Sequence, residues 1–171
     1  DSQFREMVHN FLAFSARLEQ IRARFGAYIG LSGVQYTILI TIRQLQGQHG
    51  VGIRAVADHL AFSPPFVTNE TTKLVNRGLV NKTPNPDDAR RVRLTVSSEG
   101  AELLSRLAPV QREINNVLFA PIPPENFHAV CTMARALRES AQEAVLLSDY
   151  LIGGSTGSEW NSNRIGARKS E

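Results

Sequence analysis

Residues 63–80 read "SPPFVTNETTKLVNRGLV". Two prolines open a helix abruptly, and short hydrogen-bonding side chains then line it. Ser63 is placed to cap it, and Pro65 falls in the first turn, where a missing N–H costs nothing. Gly78 supplies the left-handed residue that a helix end favours. Within those limits, residues 65–77, the spacing turns Phe66, Val67, Leu74 and Val75 toward the domain. It turns Thr68, Asn69, Thr72 and Lys73 outward. A helix built only for a core needs no such polar row. Hydroxyl and amide groups bond both phosphates and base edges, because the major groove of DNA presents donors and acceptors.

The neighbours on either side complete a motif. Upstream, "VGIRAVADHLAFS" is a short helix with Ile53, Val56, Ala57 and Leu60 inward. Downstream, "LVNKTP" and "RVRLTV" are strand patterns around the polar "NPDDAR", which makes a hairpin. A short helix, a tight turn, a second helix and a hairpin in that order spell a winged helix-turn-helix. Lys82, Arg90, Arg91 and Arg93 surround the hairpin tip, and a minor groove attracts arginine through its negative potential.

The flanks are helical. Apolar side chains from Phe4 to Phe25 recur at helical spacing, which predicts one long amphipathic helix over 2–29. Ser32 and Gln35 form a capping box for a second helix ending near Gln46. Ser97 or Ser98 caps a fifth helix that runs to about Phe119, with Pro109 expected to kink it. Phe127, Val130, Cys131, Ala134, Leu137, Ala141, Ala144, Val145 and Leu151 share one face of a sixth. That apolar stripe is longer than one small domain can cover. The expected architecture is mainly α with a small β-hairpin wing. A winged helix-turn-helix over 31–100 joins a helical dimerisation region of 1–30 and 101–152. The first, fifth and sixth helices are expected to interlock across a two-fold axis. Residues 153–171 are Gly/Ser-rich and aperiodic, as in a flexible tail.

The segment "LAFSPPFVTNETTKLVNRGLVNKTPNPDDARRVRLTVSSEGAELL" resembles the signature of the MarR family of bacterial transcriptional regulators. The likeness spans about residues 31–104. Its most specific part is the wing, with an Asp-x-Arg pattern at Asp88 and Arg90 and a helix start at Ser97 and Gly100. The resemblance implies a homodimer, most often a repressor, on a pseudo-palindromic operator. Arg90 is then the minor-groove residue and Asp88 its support, with Ser63, Thr68, Asn69, Thr72, Lys73, Arg91 and Arg93 as further DNA contacts. Prolines at 64 and 65 depart from the family, which commonly offers polar side chains there. The resemblance also implies a small effector, often an aromatic carboxylate, between the dimerisation helices and the DNA-binding lobe. His9, Phe11, Phe14, Arg17, Tyr28 and Tyr36 supply aromatic walls and a cation for it. Arg22 and Arg24 add positive charge, which extends the range to an aromatic acyl-CoA thioester.

Composition narrows the other possibilities. The chain has 171 residues, a formal charge of +3, 42% hydrophobic and 20% charged residues. These are values of an ordinary globular protein. No apolar run has membrane-spanning length, and the N-terminus lacks the pattern of a secretory signal. It begins without Met, which points to a trimmed chain. One cysteine fits a reducing cytoplasm, and its place on the apolar stripe predicts a buried thiol. The four histidines lie on different elements, and no nucleophile elbow or phosphate loop occurs. Neither an enzyme nor a cofactor is expected. His128 and Cys131 sit three apart, but a structural metal site needs four ligands. The competing reading is a winged-helix module for protein interaction without DNA. Arginines on the wing count against it, since such a wing favours exposed apolar residues.

Overall fold

Polar caps fix the helix boundaries that hydrophobic periodicity leaves loose. The computed structural model describes residues 1–86 and 88–152. Asp87 and the tail expected over 153–171 lie outside these. In chain order the helices are α1 (Ser2–Tyr28), α2 (Gly33–Leu45), α3 (Ile53–Leu60) and α4 (Pro64–Asn76). The strands β1 (Val80–Asn85) and β2 (Asp88–Val96) follow, then α5 (Ser98–Phe119), a short 3₁₀ turn, and α6 (Phe127–Ile152).

The capping box is formed: Gln35 N–H donates to Ser32 Oγ at 3.1 Å, and Ser32 N–H donates to Gln35 Oε1 at 3.3 Å. Of the two serines before α5, Ser97 is the cap, accepting from Gly100 N–H at 3.0 Å. Its hydroxyl also donates to the Gly78 carbonyl at 2.6 Å, tying the end of α4 to the start of α5. Gly78 has φ +71°. Leu79 N–H reaches the Leu74 carbonyl at 3.0 Å and Gly78 N–H the Val75 carbonyl at 2.9 Å. This paired pattern closes a helix through a left-handed residue. α5 continues through Pro109.

β1 and β2 pair antiparallel, with Val80 opposite Val96 and Pro84 opposite Val92; the register shifts between Pro84 and Asn85. Val51 joins as a third edge, exchanging hydrogen bonds with Leu94 at 3.0 and 2.8 Å. β2 is therefore central and β1 an edge, where Pro84 costs no ladder bond.

Two compact units result, residues 1–117 and the chain from Leu118 onward. The first holds the core. Phe25, Tyr36, Ile38, Leu39, Ile42, Val56, Val67, Leu74, Leu94 and Leu107 are buried together. Phe25 and Tyr36 meet edge to face with centroids 5.8 Å apart. The expected inward position of Phe66 is corrected: it is 41% exposed. It lies in the first turn of α4, outside the core cluster. Two polar ties bind α4 to the corner between α1 and α2. Arg77 Nη1 donates to the Gly30 carbonyl at 2.7 Å, and Gln35 Nε2 donates to Glu70 Oε2 at 3.3 Å.

Large apolar residues stay uncovered elsewhere. On α1, Phe4, Met7, Val8, Phe11, Leu12 and Phe14 are exposed. In the second unit, α6 carries 26 residues and buries none. Cys131, expected to be buried, is exposed, and α6 buries none of its residues among the described ones.

Candidate nucleic-acid interface

α4 separates its residues by face. Val67, Glu70, Thr71 and Leu74 are buried, whereas Thr68, Asn69, Thr72 and Lys73 are exposed. Thr68 Oγ1 donates to the Pro64 carbonyl at 2.9 Å and Thr72 Oγ1 to the Thr68 carbonyl at 2.8 Å. Both hydroxyls thereby spend their proton on the helix and keep acceptor capacity outward. Among the described residues, none bonds the Asn69 side chain. It presents both a donor and an acceptor to solvent.

Glu70 was not singled out from the sequence. It is 8% exposed, and one carboxylate oxygen pairs with Lys73 Nζ at 2.5 Å while the other accepts from Gln35. Three residues after Val67 and four before Leu74, its inward position was readable from spacing. Lys73 is therefore held along the helix by Glu70, with half of its side chain exposed.

The hairpin lies beside α3 and the first turn of α4, and a cleft of about 950 Å³ runs among them. Arg54, Asp58, Pro64, Arg90, Arg91 and Arg93 line it. Arg54, at the start of α3, is a cation that the sequence reading omitted. It sits 3.9 Å from Asp58 with 89% of its side chain exposed. Ser63 is exposed and accepts from Phe66 N–H at 3.4 Å.

The expected support of Arg90 by Asp88 takes a specific form. Asp88 Oδ1 accepts from the Arg90 backbone N–H at 3.1 Å, while its Oδ2 pairs with Arg91 Nε at 3.2 Å. The side-chain ion pair thus goes to Arg91, and Arg90 is held through its backbone. Arg90 and Arg91 are exposed; Arg93 is half-buried and donates to the Gly50 carbonyl at 3.3 Å.

The residues expected to hold an effector are dispersed. His9, Phe11, Phe14, Arg17 and Tyr28 are exposed along α1. Tyr36 is only 1% exposed and belongs to the core. Burial raises its hydroxyl pKa, and Arg22 partly opposes the rise. The reason is its helix: α2 buries Tyr36, Thr37, Ile38 and Leu39 in succession, leaving no open face there.

Among the described residues, no three His, Cys, Asp or Glu side chains gather to hold a metal ion. No single helix among them is long and apolar enough to cross a membrane.

Comparison with known proteins bears on the fold. Residues 31–92 match the sequence pattern of the MarR family. No curated protein matches the chain. Solved structures do. CouR from Rhodococcus jostii RHA1, bound to p-coumaroyl-CoA, is 20% identical with a TM-score of 0.65, over 77% of this chain and 91% of that one. A mutant MarR from E. coli complexed with operator DNA is 15% identical with a TM-score of 0.63, over 79% and 95%. PcaV from Streptomyces coelicolor, in complex with its natural ligand, is 23% identical with a TM-score of 0.56, over 74% and 90%. At these identities the structural likeness bears on fold alone, and the sequence match to residues 31–92 bears on family. Over those residues the sequence is similar to the MarR family of transcriptional regulators, and the fold is the winged helix-turn-helix seen in those solved structures.

Proposed function

We propose that the protein is a ligand-responsive, dimeric transcriptional regulator, a repressor acting in the cytoplasm on a pseudo-palindromic operator. The observation that carries the DNA-binding reading is the exposed row Thr68, Asn69, Thr72 and Lys73 beside an arginine-lined cleft. The row offers polar contacts for a major groove, and Arg90 extends toward the flanking minor groove. Ser63, Arg91 and Arg93 add phosphate contacts, and Asp88 fixes the wing. Residues 31–100 act on DNA, while 1–30 and 101–152 join two copies through the uncovered stripes of α1 and α6.

An aromatic carboxylate or its CoA thioester is the proposed effector. The p-coumaroyl-CoA complex of CouR supports that class. On this chain, His9, Phe11, Phe14, Arg17 and Tyr28 are the accessible residues for it, and Tyr36 acts only as backing. A ligand releases DNA only by preferring a dimer whose recognition helices are wrongly spaced. A protein-interaction wing is the weaker reading, since this hairpin exposes arginine.

The test is binding of genomic duplex fragments across a salt series. Phosphate contacts give a steep inverse dependence on salt through counterion release. Arg90→Ala weakens binding by at least about tenfold with an unchanged circular dichroism spectrum. Parent-like binding by Arg90→Ala removes the wing from the interface, and no duplex binding at any salt favours the protein-interaction reading.

A further inference from the structure

The first turn of α4 is chemically unlike the rest of its exposed face. Pro64 and Pro65 have no N–H to offer, and Phe66 N–H is taken by Ser63 Oγ at 3.4 Å. The three leading positions therefore present no backbone donor to a phosphate, and their side chains carry no hydrogen-bonding group. They are nevertheless exposed. Phe66 keeps 41% of its surface uncovered, although the next residue, Val67, is fully buried in the core. Its ring is not loose. Phe62 packs against it edge to face, with centroids 5.3 Å apart and an interplanar angle of 81°. An aromatic ring held in one orientation loses little freedom when it meets a partner.

The setting says what that partner is. Pro64 lines the same cleft as Arg54, Arg90, Arg91 and Arg93, so the apolar turn borders a cationic surface fitted to a polyanion. Phe66, Asn69 and Lys73 stand at i, i+3 and i+7, along one edge of the exposed row. In a recognition helix the N-terminal residues lie nearest the base edges. Among groups in the major groove, the thymine C5-methyl is the one read by apolar contact.

Resting on the DNA-binding reading above, we propose that Phe66, backed by Phe62 and flanked by Pro65, is a specificity-determining residue that selects thymine through its methyl group. The half-site then carries an obligatory thymine where the first turn of α4 enters the groove. Asn69, one turn further, reads the adjoining base edge by hydrogen bonds. Specificity at the thymine position is thereby independent of Watson–Crick pairing and of hydrogen bonding.

The test uses the full chain. Duplexes are enriched from a random library, and each thymine of the enriched site is replaced in turn by deoxyuridine. That change deletes only the methyl. Affinity is read by fluorescence anisotropy at fixed salt. One position per half-site should weaken binding roughly fourfold, the worth of one buried carbon. Phe66→Ala should bind the thymine and deoxyuridine duplexes equally, and Phe66→Leu should keep a reduced preference. The proposal is overturned if every deoxyuridine duplex binds the parent protein like thymine. It is also overturned if Phe66→Ala, folded by circular dichroism, keeps the full preference. Failure to enrich any duplex overturns the DNA-binding reading itself, and this proposal with it.

Discussion

Gly100→Ala should be among the most damaging single-atom additions to the winged-helix lobe. A Cβ at this position would lie 2.3 Å from the Leu79 carbonyl oxygen and 2.9 Å from Val96 Cγ1. Backbone on one side and β2 on the other leave no flexible side-chain end to yield. Relief requires moving the Leu79 carbonyl, which also accepts from Ser97 N–H at 3.1 Å. Overpacking of this kind costs about 1–3 kcal/mol, and weakening that hydrogen bond adds about 1 kcal/mol. Alanine's better helix propensity returns about 1 kcal/mol. The net loss is about 1–3 kcal/mol, or a fall in melting temperature of roughly 4–8 °C for a loss near 2 kcal/mol in a chain of this length. Urea unfolding followed by circular dichroism, at one fixed protein concentration, measures it. A variant as stable as the parent, with the same denaturant slope, would refute the argument that close approach to Leu79 demands glycine here.

Other consequences are checkable with equal economy. Ala61 ends α3 in the left-handed region with φ 54°; Ala61→Gly should stabilise the protein by roughly 0.5–1 kcal/mol in the same urea assay, the strain relieved exceeding the added chain entropy. The raised pKa of buried Tyr36 means the folded state holds its proton longer than the unfolded state. Its contribution is therefore full below the ordinary tyrosine range and lost as pH rises through the folded value. Tyr36→Phe should flatten the alkaline fall of stability above about pH 10, and an unchanged alkaline profile would contradict this. The uncovered stripes of α1 and α6 predict a mass of two chains at micromolar concentration by light scattering; a stable monomer would sink the dimer.

Much of the architecture was legible because caps and periodicity pointed the same way. Ser32 with Gln35, Ser63 with two prolines, and Gly78 each announce a boundary that the structure places within a residue or two. Residues 31–92 also carry the likeness to the MarR family. Legibility failed where burial depends on what stands opposite. Phe66 has inward-looking spacing, yet it stands beside buried Val67 on the open side of the first turn of α4. Glu70 hides in an apolar row because Gln35, from another helix, meets its carboxylate. Asp88 was expected to support Arg90, but beside the register shift at Asn85 its side chain pairs with Arg91 and holds Arg90 only through the backbone. Tyr36 was misplaced since an aromatic near a helix start looks the same whether it faces a ligand or a core.

The ties from Arg77 to Gly30 and from Glu70 to Gln35 have a mechanical consequence. The helix α4 is fastened to the elbow where α1 ends, so it is carried by α1 rather than swivelling alone. α1 has 27 residues, a lever of about 40 Å at the standard rise. Pivoting about its far end, a tilt of about 5° sweeps the elbow through about 3.5 Å, which is close to one base step along a strand. On the DNA-binding reading proposed above, a barely perceptible change of angle at the far end of α1 is enough to put α4 one letter out of register.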